Sequence, residues 1–158
     1  DLIYDIIDSN EGINVAILGM GNLGRALLNY FSGKRHKLSI VASFDVNPDK
    51  IGKSFNNIPC HNITDMEKVI KRENIEIGII TVPASQSMAT AKQLVKSGIK
   101  GILNYTPKPV EVPEGVYLEE YDMITTLEKV SFYVKMENER AADQVIQRKD
   151  QGTAASDF

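Results

Sequence analysis

A single cysteine, Cys60, stands in the 158 residues, so no disulfide can form within the chain. A lone thiol suits a reducing cytoplasm and reads as a small buried hydrophobe. Tryptophan is missing, and histidine occurs only at His36 and His61. Cys/His metal spacing, a Walker loop and G-x-S-x-G are missing too, which removes the familiar signatures of zinc, nucleoside-triphosphate and serine-hydrolase chemistry. Positive charge is not in excess. Eighteen Lys and Arg against 21 Asp and Glu leave a net charge of −3, a poor match for a nucleic-acid surface. No apolar run approaches the roughly 20 residues of a membrane span, and no signal-peptide pattern opens the chain. What remains, 42% hydrophobic and 25% charged, fits one soluble α/β domain large enough to bury a core.

The most informative segment is Gly19-Met20-Gly21-Asn22-Leu23-Gly24. It follows the apolar run Val15-Ala16-Ile17-Leu18 and precedes Arg25-Ala26-Leu27-Leu28-Asn29-Tyr30-Phe31, so it reads as strand, glycine turn and helix. Asp45 comes 21 residues after Gly24, at the end of a second apolar run. The string G-x-G-x-x-G alone is weak. With a strand before, a helix after and an acid at this distance it becomes the dinucleotide-binding fingerprint. The first glycine permits the turn, the second lets the backbone approach a pyrophosphate, and the third lets helix pack on strand. The helix N-terminus offers free N–H groups to the phosphates. A carboxylate at 45 can accept both ribose hydroxyls and repels a 2′-phosphate, which favours NAD(H) over NADP(H). The following Val46-Asn47-Pro48-Asp49 carries no Arg, in keeping with that choice. The competing reading is a glycine-rich turn in another kind of α/β domain, with Asp45 a solvated strand-end acid.

Apolar runs alternate with helical patterns along the rest of the chain. Strands are expected near 14–18, 38–44, 58–61, 76–82, 101–105 and 116–119, and helices near 22–33, 65–73 and 85–97. That alternation predicts an α/β fold: a Rossmann-type, doubly wound, mainly parallel sheet. Ligands of such sheets lie across the carboxyl ends of the strands. Thr81-Val82-Pro83 and Asn104-Tyr105-Thr106-Pro107 are therefore expected near the ligand, although Pro83 serves equally well as a plain strand breaker. His36 reads as a solvated or helix-capping residue and His61 as a loop residue. The acid pairs Asp65/Glu67 and Glu119/Glu120 read as solvated faces. No catalytic acid/base group is evident.

The ends differ in kind. Residues 1–9, with apolar Leu2, Ile3, Ile6 and Ile7, read as the end of a linker helix from a preceding domain. Residues 10–121 form the Rossmann domain, and 122–145 a long helix with Met123, Leu127, Val130 and Val134 on one stripe. Such a stripe packs on its own domain or on another subunit. Residues 146–158 read as a flexible tail.

The glycine segment, Phe44-Asp45-Val46, Ile79-Ile80-Thr81-Val82-Pro83-Ala84 and Gly98-Ile99-Lys100-Gly101-Ile102-Leu103-Asn104-Tyr105-Thr106-Pro107, in this order and spacing, resemble the Rex family of redox-sensing transcriptional repressors. The resemblance spans about residues 12–136. It implies a cytoplasmic homodimer that reads the NADH/NAD⁺ ratio and releases operator DNA when NADH binds. It implies a terminal helix exchanged between subunits, and a DNA-binding winged-helix domain that this chain does not contain. Tyr30 and Asp122 match a pair linked across the dimer. Met123 falls where the family sets an apolar residue against the partner's nicotinamide pocket. Three alternatives stay open: the Rossmann domain of an NAD-dependent oxidoreductase, a CoA-binding domain, and a dimerisation module without ligand. Asp45 argues against CoA, whose ribose carries a 3′-phosphate.

Overall fold

The computed structural model describes residues 12–32 and 37–154. The expected helix at the start of the chain and His36 lie outside these residues. The contacts divide the chain into two units, with the boundary between Asp122 and Met123.

The first unit is built on one sheet. In chain order its elements are β1 (Ile13–Leu18), α1 (Asn22–Phe31), β2 (Leu38–Asp45), β3 (Ser54–Phe55), β4 (Ile58–Asn62), α2 (Met66–Arg72), β5 (Ile75–Ile80), α3 (Ser87–Lys96), β6 (Gly101–Asn104) and β7 (Tyr117–Glu120). The seven strands lie in the order β3-β4-β2-β1-β5-β6-β7. Every pairing is parallel except β3 with β4. The chain starts in the middle with β1, works outward through β2 to β4, and returns to build the other half from β5. The topological switch point therefore falls between β1 and β5, at the strand end where the glycine turn leaves the sheet. The expected doubly wound fold is present.

Alternation along the strands sends side chains to two cores. Ala16, Leu18, Ala42, Phe44 and Ile80 face α2 and α3, where Met66, Val69, Ile70, Ala91 and Leu94 are buried. Val15, Ile17 and Ile79 face α1 through Leu27 and Leu28. Covering on both faces is why β1 and β5 read as unbroken apolar runs. Gly78 in β5 brings α3 close: a Cβ there would lie 2.9 Å from Leu94 Cδ1.

Strand β3 is not foreseen in the sequence. It is two residues long and joins β4 through Asn56 and Asn57, both in the left-handed region (φ 49° and 64°). A two-residue loop with positive φ at both positions is the hairpin turn whose twist matches its strands, and Asn tolerates that conformation.

The second unit is the single helix α4 (Met123–Ala154), 32 residues long. The expected break at 146 does not occur. Ten of the residues 137–151 are the strong helix formers Ala, Glu, Gln, Arg or Lys, and none is proline. The Thr153 hydroxyl donates to the Lys149 carbonyl at 2.7 Å in the last turn. Met123, Ile124, Leu127, Val130, Phe132 and Val134 of α4 are exposed. No described helix is long and apolar enough to cross a membrane.

Leu94 is fully buried and fills the space that Gly78 opens. Leu94→Ala is expected to cost about 2–5 kcal/mol, the range for buried Leu truncations, measured as a lowered urea midpoint at unchanged slope.

Candidate functional site

The glycine turn is held by backbone contacts that admit no side chain. Gly19 has φ +108°, and a Cβ on it would lie 2.8 Å from the Thr81 carbonyl and from Val82 N. A Cβ on Gly24 would sit 1.9 Å from the Gly19 carbonyl oxygen. The Thr81 hydroxyl donates to that oxygen at 2.7 Å, and Thr81 N donates to the Leu18 carbonyl at 2.8 Å. The turn off β1, the start of α1 and the end of β5 thus close on one carbonyl. Gly21 is different. A Cβ there would meet nothing within 4 Å, because it would point into open space.

Gly21 is also the N-cap of α1. Its backbone is extended, no side chain caps the helix, and the first turn carries no acid. The first N–H groups of a helix have no intrahelical acceptors, and they carry its partial positive charge. Glycine at 21 leaves them open to an anion. The residues fit a pyrophosphate at this point: the space a Cβ would fill is empty, and the donors around it are backbone N–H groups.

Asp45 ends β2 beside the turn. Its Oδ2 accepts from Met20 N at 2.8 Å, and its Oδ1 accepts from Val46 N at 2.7 Å and Asn47 N at 2.9 Å. A carboxylate has roughly four acceptor positions, so about one is left for a ribose hydroxyl. Lys50 holds the other end of the same residue, its Nζ donating to the Met20 carbonyl at 2.8 Å. Met20 itself is fully buried.

Around these groups lies a cleft of about 450 Å³. Gly19, Gly21, Asn22, Leu23, Asp45, Val46, Thr81, Val82 and Pro83 line it, as the sequence suggests. So do Asn47, Lys50, Ile63 and Gln86, which sequence reasoning misses. For Lys50 a signal exists. Asn47-Pro48-Asp49-Lys50 is turn-forming: Lys50 N donates to the Asn47 carbonyl at 3.0 Å, and the Asn47 side chain accepts from Asp49 N at 2.9 Å. The turn folds the lysine back beside Asp45.

Asn104, Tyr105, Thr106 and Pro107 are not among the described residues that line the cleft. The Asn104 side chain is buried and turned into the next loop. It donates to the Lys108 carbonyl and to Glu120 Oε2, both at 2.9 Å, and accepts from Thr106 N and Oγ1. Glu120 is exposed, and it also accepts from Val110 N at 3.1 Å, so it braces the β6–β7 connection from the surface. The Tyr105 ring lies 4.9 Å from that of Tyr121. Burial, then Tyr121 and Tyr30, push its phenol above the ordinary tyrosine range. Tyr30 is exposed on α1, edge-on to Phe31. His61 is in β4 rather than in a loop, paired with Phe44 and against its ring, with its pKa lowered by burial and then by Arg72. Cys60 is buried, and that burial raises its thiol pKa.

Parallel strands, a glycine turn at the switch point and an acid on its backbone define a nucleotide-binding Rossmann domain. The chain belongs to the CoA binding domain family, which matches residues 10–108. Curated proteins similar to it include redox-sensing transcriptional repressors Rex. That of Listeria welshimeri is 36% identical over 135 residues, covering 85% of this chain and 63% of the relative. That of Syntrophobacter fumaroxidans is 37% identical over 133 residues, covering 84% and 63%. The chain thus spans just under two thirds of the length of these relatives. Among solved structures it is similar to RSP, a Rex-family repressor. The complex of RSP with β-NAD⁺ and operator DNA has a TM-score of 0.80 at 32% identity, covering 87% of this chain and 63% of that one. The complex with β-NADH has a TM-score of 0.76 at the same identity, covering 87% and 66%. UDP-D-quinovosamine 4-dehydrogenase from Vibrio fischeri, at 20% identity and a TM-score of 0.54, shares the fold alone.

Alanine at the two glycines separates folding from binding. Gly24→Ala is expected to destabilise the domain by more than about 1 kcal/mol, because backbone must move. Gly21→Ala is expected to lower the unfolding free energy by only about 0.5 kcal/mol, the preference of an N-cap for Gly over Ala, while weakening any nucleotide measured by calorimetry.

Proposed function

We propose that this chain is the NAD(H)-binding sensor and dimerisation part of a Rex-like repressor. The observation that carries this reading is the Gly19–Gly24 turn braced by Asp45 at the switch point, in a chain related to Rex repressors over 85% of its length. The backbone N–H groups from Gly21 into α1 hold the pyrophosphate, and Asp45 accepts from the adenosine ribose. Thr81, Val82 and Pro83 lie toward the nicotinamide end, with Tyr105 beyond them.

When bound, the cofactor presents a nicotinamide ring that is cationic when oxidised and neutral when reduced. Val82 and Pro83 give that end of the cleft apolar walls with few groups to solvate a cation. The neutral form is therefore preferred. A ligand shifts a conformational equilibrium only by its difference in affinity for the two states, and this preference provides the difference. The chain's residues bind and discriminate, and none is assigned a catalytic step.

The exposed apolar side chains of α4 support a homodimer in which α4 packs on a second copy. Tyr30, Asp122 and Met123 are the residues through which ligand state and dimer geometry communicate. In the whole protein, a DNA-binding domain outside this chain contacts the operator in a cytoplasmic setting, and NADH releases it.

Titration calorimetry on this chain is expected to show tighter binding of NADH than of NAD⁺. Equal affinities would remove the basis for sensing. Hydride transfer to a small substrate, or a melting shift with CoA and none with NADH, would instead support the oxidoreductase or CoA-binding alternative.

A further inference from the structure

We propose that Lys50 is a specificity-determining residue of the cleft. Asp45 excludes a phosphorylated ribose, and Lys50 stands ready to bind one when the acid's charge is removed. This inference rests on the dinucleotide reading of the cleft. Both charges are fixed on one residue: Asp45 Oδ2 takes the Met20 N–H and Lys50 Nζ takes the Met20 carbonyl, each at 2.8 Å. Both also line the cleft. Their fields reach the same buried neighbour with opposite sign: burial is the main influence on the Cys60 thiol, and beside it Asp45 raises and Lys50 lowers its pKa.

A carboxylate and an ammonium at one end of a cleft treat a ribose phosphate oppositely. Asp45 is acceptor-only, so it binds a hydroxyl and repels a phosphate. An ammonium carries three donors, of which the Met20 carbonyl takes one, and is a good partner for a phosphate. Lys50 is half-buried and held by the Asn47–Lys50 turn, so its charge is placed rather than free to wander. The absence of Arg after Asp45 therefore does not leave the site without a cation. Rejection of NADP(H) is a balance of two opposite charges in which the acid dominates.

The test is calorimetry with NADH and NADPH on wild type, Asp45→Asn, Lys50→Met and the double variant. Wild type is expected to prefer NADH by about tenfold or more, the scale of a like-charge juxtaposition. Asp45→Asn should bring the two affinities together, and adding Lys50→Met should weaken NADPH again. Lys50→Met alone should widen the wild-type preference, because NADPH loses its cation while NADH loses only the brace on Met20. A lysine that merely braces the turn would weaken both ligands equally and leave their ratio unmoved, which overturns the proposal. The single Lys50→Met variant decides the matter even if Asp45→Asn fails to fold. If wild type binds neither dinucleotide, the dinucleotide reading falls first and this inference with it. If wild type binds NADH and the ratio does not respond to Lys50, only this inference fails.

Discussion

The carbonyl of Gly19 is the point on which the rest of the site depends. It receives the Thr81 hydroxyl from the end of β5, and the Cα of Gly24 in α1 comes so close that a methyl group would lie within 1.9 Å. Three elements meet there with only backbone and the Thr81 hydroxyl between them. The requirement for glycine at 19 and 24 is therefore steric, and it belongs to the fold. The requirement at 21 is of another kind, since among the described residues nothing occupies the space its side chain would take. One motif thus contains two packing glycines and one glycine that leaves the helix end open. The Met20 peptide groups, held by Asp45 on one side and Lys50 on the other, set the direction in which the open helix end points.

How much of this is legible in the sequence depends on the range of the interaction. The glycine turn is read correctly because its geometry is local, contained in six residues between an apolar run and a helical pattern. The sheet follows from the alternation of strand and helix, because a parallel crossover leaves few topologies open. Strand β3 escapes because two residues carry no periodicity, although the pair Asn56-Asn57 is a recognisable turn signal. Glu120 escapes for a different reason. Its partners Asn104 and Val110 are 16 and 10 residues away, and nothing local distinguishes its bracing role from that of the equally exposed Glu119. The same non-local bonds turn Asn104 away from the cleft, where strand-end position alone would place it. The end of α4 is misjudged because most of its last residues are polar and include Gly152, a pattern that resembles disorder although no proline stops the helix.

Membership of the CoA binding domain family and an NAD(H) reading are compatible on physical grounds. The fold supplies a glycine turn and a helix N-terminus, which serve any pyrophosphate and do not distinguish one nucleotide from another. Distinction comes from what stands beside the ribose. Here that is a carboxylate with three of its roughly four acceptor positions already filled by backbone N–H groups. Such a group is held rigidly by those three bonds. It holds its geometry before a nucleotide arrives, so little ordering has to be added on binding. For a sensor this matters more than tightness. On the proposed reading both redox forms share the adenosine half of the site, and that half contributes equally to each. The difference in affinity has to arise at the other end, from the apolar walls after β5. A preorganised adenosine end then anchors both forms, so that the charge of a single ring sets which one prevails.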